Sequence, residues 1–182
     1  MSNRPSGTIT FLFTDIEGSA KLWDEHPEQM RVALARHDEI LRHAIESNGG
    51  YVFKTVGDAF CAAFHTGPEA LSAVLAAQTA ISKEPWPEPV NIRVRMALHS
   101  GAVESRDNDY FGQPLNRVAR LLSLAHGGQV LLSDVTHDLC RDALLAGASL
   151  KSLGERRLRH RSVRRRRSRF QTRSMVAFQA GE

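Results

Sequence analysis

Residues 8–20 read TITFLFTDIEGSA: a β-branched and aromatic run from Thr8 to Phe13, broken off at Thr14-Asp15-Ile16-Glu17-Gly18-Ser19. The run predicts a buried strand. The segment after it carries Leu22, Trp23, Met30, Leu34, His37, Leu41 and Ile45 at spacings of three and four, which predicts helix up to Asn48-Gly49-Gly50. Pro27 can open a second helix after a short first one. Tyr51–Thr55 and Ala59–Phe64 read as a hairpin turning at Gly57-Asp58, and 68–81 as a helix closed by Pro85, Pro87 and Pro89. Val90–Leu98 alternates like a strand with one wetted face, and 101–105 can pair with it. Then come a helix over 115–125, a strand over 129–132, a helix capped by Ser133-Asp134 and reaching about Asp142, and a strand over 149–153. Strand, helix, hairpin, helix, strand is compatible with a ferredoxin-like α+β fold: helices on one face of an antiparallel sheet, here with an appended α/β extension.

The chain has 182 residues, the size of one domain, and 42% are apolar, enough for a real core. Its net charge of +4 hints at an anionic partner. Ten arginines between Arg156 and Arg173 carry that excess. Residues 1–154 hold fourteen basic and eighteen acidic residues, a net −4. We therefore divide the chain into a domain over 1–154 and an arginine-rich tail over 155–182, in which MVAFQ (175–179) reads as a displaced last strand or as mere tail. Phe170 is the one aromatic among the arginines, and the body is acidic, which argues against nucleic acid. Cys61 and Cys140 lie far apart with no metal-ligand spacing, which excludes a zinc framework and leaves two reduced thiols. No apolar run is long enough to span a bilayer and no signal segment opens the chain, so the expected compartment is the cytoplasm, without a membrane.

The turn after the first strand carries glycine and feeds a helix N-terminus, where free N–H groups suit phosphate. Asp15 beside it is placed to hold a metal bridging phosphate oxygens, or simply to cap the helix. Asp58 sits at the hairpin tip, ordinary for aspartate after glycine. If the hairpin lies beside the first strand, the two carboxylates reach one Mg²⁺ or Mn²⁺. Lys54 lies in an apolar strand, either snorkelling to an edge or entering a polar pocket. Asn116 and Arg120, four apart, share a helix face that is either solvated or set to orient a ribose and neutralise a phosphoryl group. The eight histidines form no metal constellation, and no G-x-S-x-G or G-K-[ST] motif is present.

Taken together, FTDIEGSA (13–20), NGGYVFKTVGDAFCAAF (48–64), RMALHSG (95–101) and DYFGQPLNRVARLLSLAHGGQVLLS (109–133) resemble, in order and spacing, the catalytic domain of class III nucleotidyl cyclases, in the style of small actinobacterial members. The resemblance implies conversion of ATP to 3′,5′-cyclic AMP and pyrophosphate by attack of the ribose 3′-oxygen on the α-phosphorus. It implies that Asp15 and Asp58 bind two divalent cations, Mg²⁺ or Mn²⁺, with the Ile16 carbonyl as a further ligand. One ion would activate the 3′-hydroxyl and the other hold the β- and γ-phosphates. The amides of Glu17, Gly18, Ser19 and Ala20 would cradle the triphosphate, and Arg159 would contact it. Lys54 and Asp109 would read the base: lysine donates to adenine N1 and aspartate accepts from the exocyclic amine, whereas guanine is usually met by glutamate and a small or polar residue. Asn116 and Arg120 would orient the ribose and stabilise the transition state. Such cyclases are head-to-tail dimers, and a chain holding both half-sites implies a homodimer with two equivalent sites. A guanylyl cyclase and a catalytically silent nucleotide-binding module are the competing expectations.

Overall fold

The computed structural model describes residues 4–106, 109–143, 150–152 and 175–178. The elements are β1 (Thr8–Ile16), α1 (Ser19–Glu25), α2 (Pro27–Ser47), β2 (Tyr51–Val56), β3 (Ala59–Phe64), α3 (Gly67–Lys83), β4 (Val94–Ala102), β5 (Glu104–Arg106), β6 (Asp109–Phe111), α4 (Gln113–Leu122), β7 (Val130–Ser133), α5 (Asp134–Cys140), β8 (Leu150–Ser152) and β9 (Met175–Phe178). Seven strands form one sheet in the order β2-β3-β1-β4-β7-β9-β8, and β5 pairs with β6 apart from it. The first four strands have the ferredoxin-like order. All neighbours in the large sheet are antiparallel except β4 and β7, where the appended segment joins.

Successive side chains of a strand point to opposite faces, and two cores follow. Leu12, Ile16, Phe60 and Leu98 face α2 and α3, together with Met30, Leu41 and Leu71. Ile9, Phe11, Ala63, Ala97 and Leu131 face α4, through Val118 and Leu121, and also Tyr110. The helices of the ferredoxin-like unit thus share one face, and the appended α4 takes the other.

Several boundaries differ from those the sequence predicts, three of them for a reason visible in the pairing. β1 runs on through Asp15 to Ile16, because Asp15 pairs across the sheet with Arg95 and Ile16 with Val94. β4 begins at Val94, not at Val90: Val90 donates its N–H to the Pro87 carbonyl in a turn, although Val90 and Ile92 are buried. The residues expected to return along β4 extend it to Ala102, and Glu104–Arg106 pairs with Asp109–Phe111. Pro27 opens α2 as expected, and Thr66 with Glu69 forms a reciprocal capping box at the start of α3. Met175–Phe178 is a strand, lying between β7 and β8.

A chain of buried hydroxyls ties β1, β4, β7 and α5 together. Thr10 Oγ1 meets Ser100 Oγ at 2.8 Å, Ser100 meets Thr136 Oγ1 at 3.0 Å, and Thr136 meets Ser133 Oγ at 3.1 Å. Ser133 Oγ then meets His99 Nδ1 at 2.8 Å. Burial, with the charge of Arg117 adding to it, pushes the His99 pKa down to about 4. The fold therefore disfavours the imidazolium, and between about pH 6.5 and 4 the unfolded chain binds the extra proton. The associated stability is present above about pH 6.5 and is lost as pH falls towards 4. We expect urea melts to show a decline of roughly 1–3 kcal/mol over that range from this group, and His99→Gln to flatten it; an unchanged slope in the variant would assign the decline elsewhere.

Candidate active site

The β1–α1 turn is built on Gly18, which takes φ 69° as the N-cap of α1, a left-handed conformation that other residues adopt at a cost. The hairpin tip is built likewise on Gly57, at φ 59°. Between them these glycines bring Asp58 to β1: the Ile16 N–H donates to Asp58 Oδ2 at 2.6 Å, and Ser19 Oγ donates to Oδ1 at 3.3 Å. Ile16, Ser19 and Asp58 are therefore gathered at one end of the sheet, beside Asp15.

Arg95 completes the cluster; it opens the RMALHSG stretch, yet no role is expected of it from the sequence. Its Nε donates to Asp15 Oδ1 at 2.7 Å and its second guanidinium nitrogen to Oδ2 at 2.6 Å, a fork onto both carboxylate oxygens. The pair is partly exposed, with side-chain exposures of 28% and 27%. The hydrogen bond to Asp15 is the main cause raising the Arg95 pKa, and the charges of Asp15, Glu17 and Asp58 add to it. In sequence Arg95 reads as one residue of a strand's wetted face, and only a pairing across 80 positions reveals its partner.

Glu17 departs from the phosphate role expected of it. Its N–H donates to the Arg93 carbonyl at 2.9 Å, and its side chain accepts from the Gly127 N–H at 2.9 Å. Arg93 in turn donates to the Gly127 carbonyl at 2.8 Å. Glu17 thus braces the turn before β7, and a Cβ at residue 127 would meet Glu17 Oε2 at 2.5 Å. The first-turn amides of α1 begin at Ser19, and helix geometry leaves them without partners inside the helix.

Lys54 and Asp109, far apart in sequence, are carried on β2 and β6, next to Phe53 and Tyr110, which pack together. Lys54 lies opposite Cys61 in the β2–β3 register, just past an irregularity after Val52. Burial pushes the Cys61 thiol up to about 11, with the charge of Lys54 opposing that shift and the charge of Asp109 adding to it. Asp109 Oδ1 accepts from the Tyr110 N–H at 2.8 Å. The Tyr110 ring packs edge-on against Phe53, 5.1 Å between centroids, which locks β6 to β2.

Asn116 is exposed and Arg120 half-buried on α4, on a face other than the one Val118, Leu121 and Leu122 pack onto the sheet. None of the described contacts joins either residue to Asp15 or Asp58. Arg159 lies outside the described residues. Among the described residues no helix is long and apolar enough to cross a membrane.

The sequence matches the family described as Adenylate and Guanylate cyclase catalytic domain over residues 1–165. The chain belongs to that family. An uncharacterized protein of Mycobacterium tuberculosis is 43% identical over 157 residues, covering 85% of this chain and 53% of its own length. Adenylate cyclase of Schizosaccharomyces pombe is 34% identical over 154 residues, covering 71% of this chain and 9% of its own. The chain thus spans about half the length of its mycobacterial relatives and a small part of the fungal enzyme. Among solved structures, a Trypanosoma brucei adenylate cyclase in its monomeric state superposes with a TM-score of 0.80 at 26% identity, covering 97% of this chain and 90% of that one. An adenylate/guanylate cyclase/hydrolase of Silicibacter pomeroyi shares the fold at a TM-score of 0.78 and 24% identity, covering 96% and 97%.

Proposed function

We propose that this cyclase domain is an adenylyl cyclase, forming 3′,5′-cyclic AMP and pyrophosphate from ATP as a cytoplasmic homodimer whose sites lie between two copies. The observation that carries the reading is the convergence of Asp15 and Asp58 at the β1–α1 turn, held by the 2.6 Å bond from the Ile16 N–H. Carboxylates with a nearby backbone carbonyl are hard oxygen donors of the kind Mg²⁺ and Mn²⁺ prefer. The guanidinium already seated on Asp15 is a stand-in cation, so the donor set fits a positive charge.

Two divalent cations, when bound, supply charge neutralisation at the phosphates and a lowered pKa for the 3′-hydroxyl. Asp15, Asp58 and the Ile16 carbonyl would hold them. The amides of Gly18, Ser19 and Ala20 receive the triphosphate, with Glu17 fixing the turn from behind. Arg159 remains a proposed phosphate contact. Lys54 donates to adenine N1 and Asp109 accepts from the 6-amino group, and the packing of their neighbours Phe53 and Tyr110 against each other supports their acting on one base. Asn116 orients the ribose and Arg120 meets the charge that develops on the transferring phosphoryl group. Their outward placement on α4 supports donation to the site of a second copy.

The test is to incubate purified protein with Mn²⁺ and either ATP or GTP and to quantify cyclic nucleotide. We expect cyclic AMP in clear excess. Product from GTP alone would make it a guanylyl cyclase, and no product from either would leave a silent nucleotide-binding domain.

A further inference from the structure

The two carboxylates of the candidate metal site are held differently. Asp58 accepts from neutral donors, the Ile16 N–H and the Ser19 hydroxyl. Asp15 is gripped by a cation through both oxygens, and its partner Arg95 stands directly opposite it in the β1–β4 register. Arg95 faces the acids Asp15, Glu17 and Asp58 from β1, its adjoining turn and the hairpin tip. A divalent ion on Asp15 would bring two further positive charges within contact of the guanidinium, with one carboxylate to share between them. That arrangement is repulsive, and the partial exposure of the pair gives ions and water access to it.

We propose that Arg95 is the internal counter-ion of this site: it holds Asp15 while no metal is bound and lets go when a divalent cation binds, so that cation uptake and release of the guanidinium are one event. The inference rests on reading Asp15 as a metal ligand. Arg95 is a positioning residue in this scheme. It keeps the Asp15 carboxylate oriented and neutralised before the ion arrives, and it makes the ion compete for its ligand.

The test needs no nucleotide. In wild-type protein with ¹⁵N-labelled arginine, the Arg95 Nε–H signal, assigned by its disappearance in Arg95→Lys, is expected in the metal-free state and should shift or broaden away as Mg²⁺ saturates the site. By electron paramagnetic resonance of free Mn²⁺, Arg95→Gln should bind Mn²⁺ about tenfold more tightly than wild type, Arg95→Lys should fall between the two, and Asp15→Asn should abolish binding. Thermal melts establish that each variant is folded. If wild type binds Mn²⁺ through Asp15 while the Arg95 signal does not move, and Arg95→Gln binds no more tightly, the counter-ion role is wrong and the metal site stands. If neither wild type nor Arg95→Gln binds Mn²⁺, both fall.

Discussion

Asp15→Ala and Arg120→Ala are each expected to yield no measurable cyclic AMP alone, and an equimolar mixture of the two is expected to recover it. Each substitution should cost at least about 10²–10³-fold in turnover: on the proposed reading the first removes a carboxylate that gathers the phosphates' counter-charge, the second the guanidinium that meets the transition state. In a two-fold dimer with shared sites, a mixed pair keeps one site with both residues intact. Random exchange would then return roughly a quarter of wild-type activity, half of the dimers having one of two sites whole. The assay is product formation against mixing ratio, with dimerisation checked by sedimentation. Folded, dimerising variants that stay silent when mixed would sink the shared-site arrangement. The single chain supports that arrangement physically, since α4 covers one sheet face with its apolar side while Asn116 and Arg120 lie elsewhere on its surface.

The second large effect concerns the choice of base. If Lys54 and Asp109 read the base as proposed, Lys54→Glu combined with Asp109→Cys should lower kcat/KM for ATP by roughly 10²-fold or more, because each change would remove a hydrogen bond that adenine offers and leave a polar group unmatched. Activity on GTP should rise relative to ATP, as glutamate accepts from the guanine N1–H. A variant that loses both activities while remaining folded would show that the pair supports the pocket and does not read it. The Phe53–Tyr110 stack carries both residues, so a melting curve belongs with the kinetics.

Much of the fold is legible in the amino-acid sequence. Apolar alternation around Gly57 marks the β2–β3 hairpin, and the glycine-bearing turn after Phe13 marks the start of α1, because both depend on local backbone preferences. The ends of β1 and β4 are not legible in this way. Asp15 and Arg95 extend those strands through a charged pair, and a cross-strand ion pair leaves no hydrophobic period to read. Val90 and Ile92 mislead in the opposite sense: they are buried and alternate, yet the turn from Pro87 to Val90 holds them outside the ladder. The acids of the candidate site stand out because each sits at a break in an apolar run. Arg95 and the bracing role of Glu17 do not, since what defines them is a partner 80 and 110 residues away.

The position of β9 bears on how this domain can be trimmed. Met175–Phe178 lies between β7 and β8, and among the described residues β8 joins the sheet through β9 alone. An expression boundary drawn at Gly154, where the charge composition changes, would discard the strand that holds its neighbour. It would also lay open the ladder groups of Val130–Ser133 along a bare sheet edge, an invitation to pair with other chains. Any trimmed version of the domain therefore has to keep Met175–Phe178 together with Leu150–Ser152.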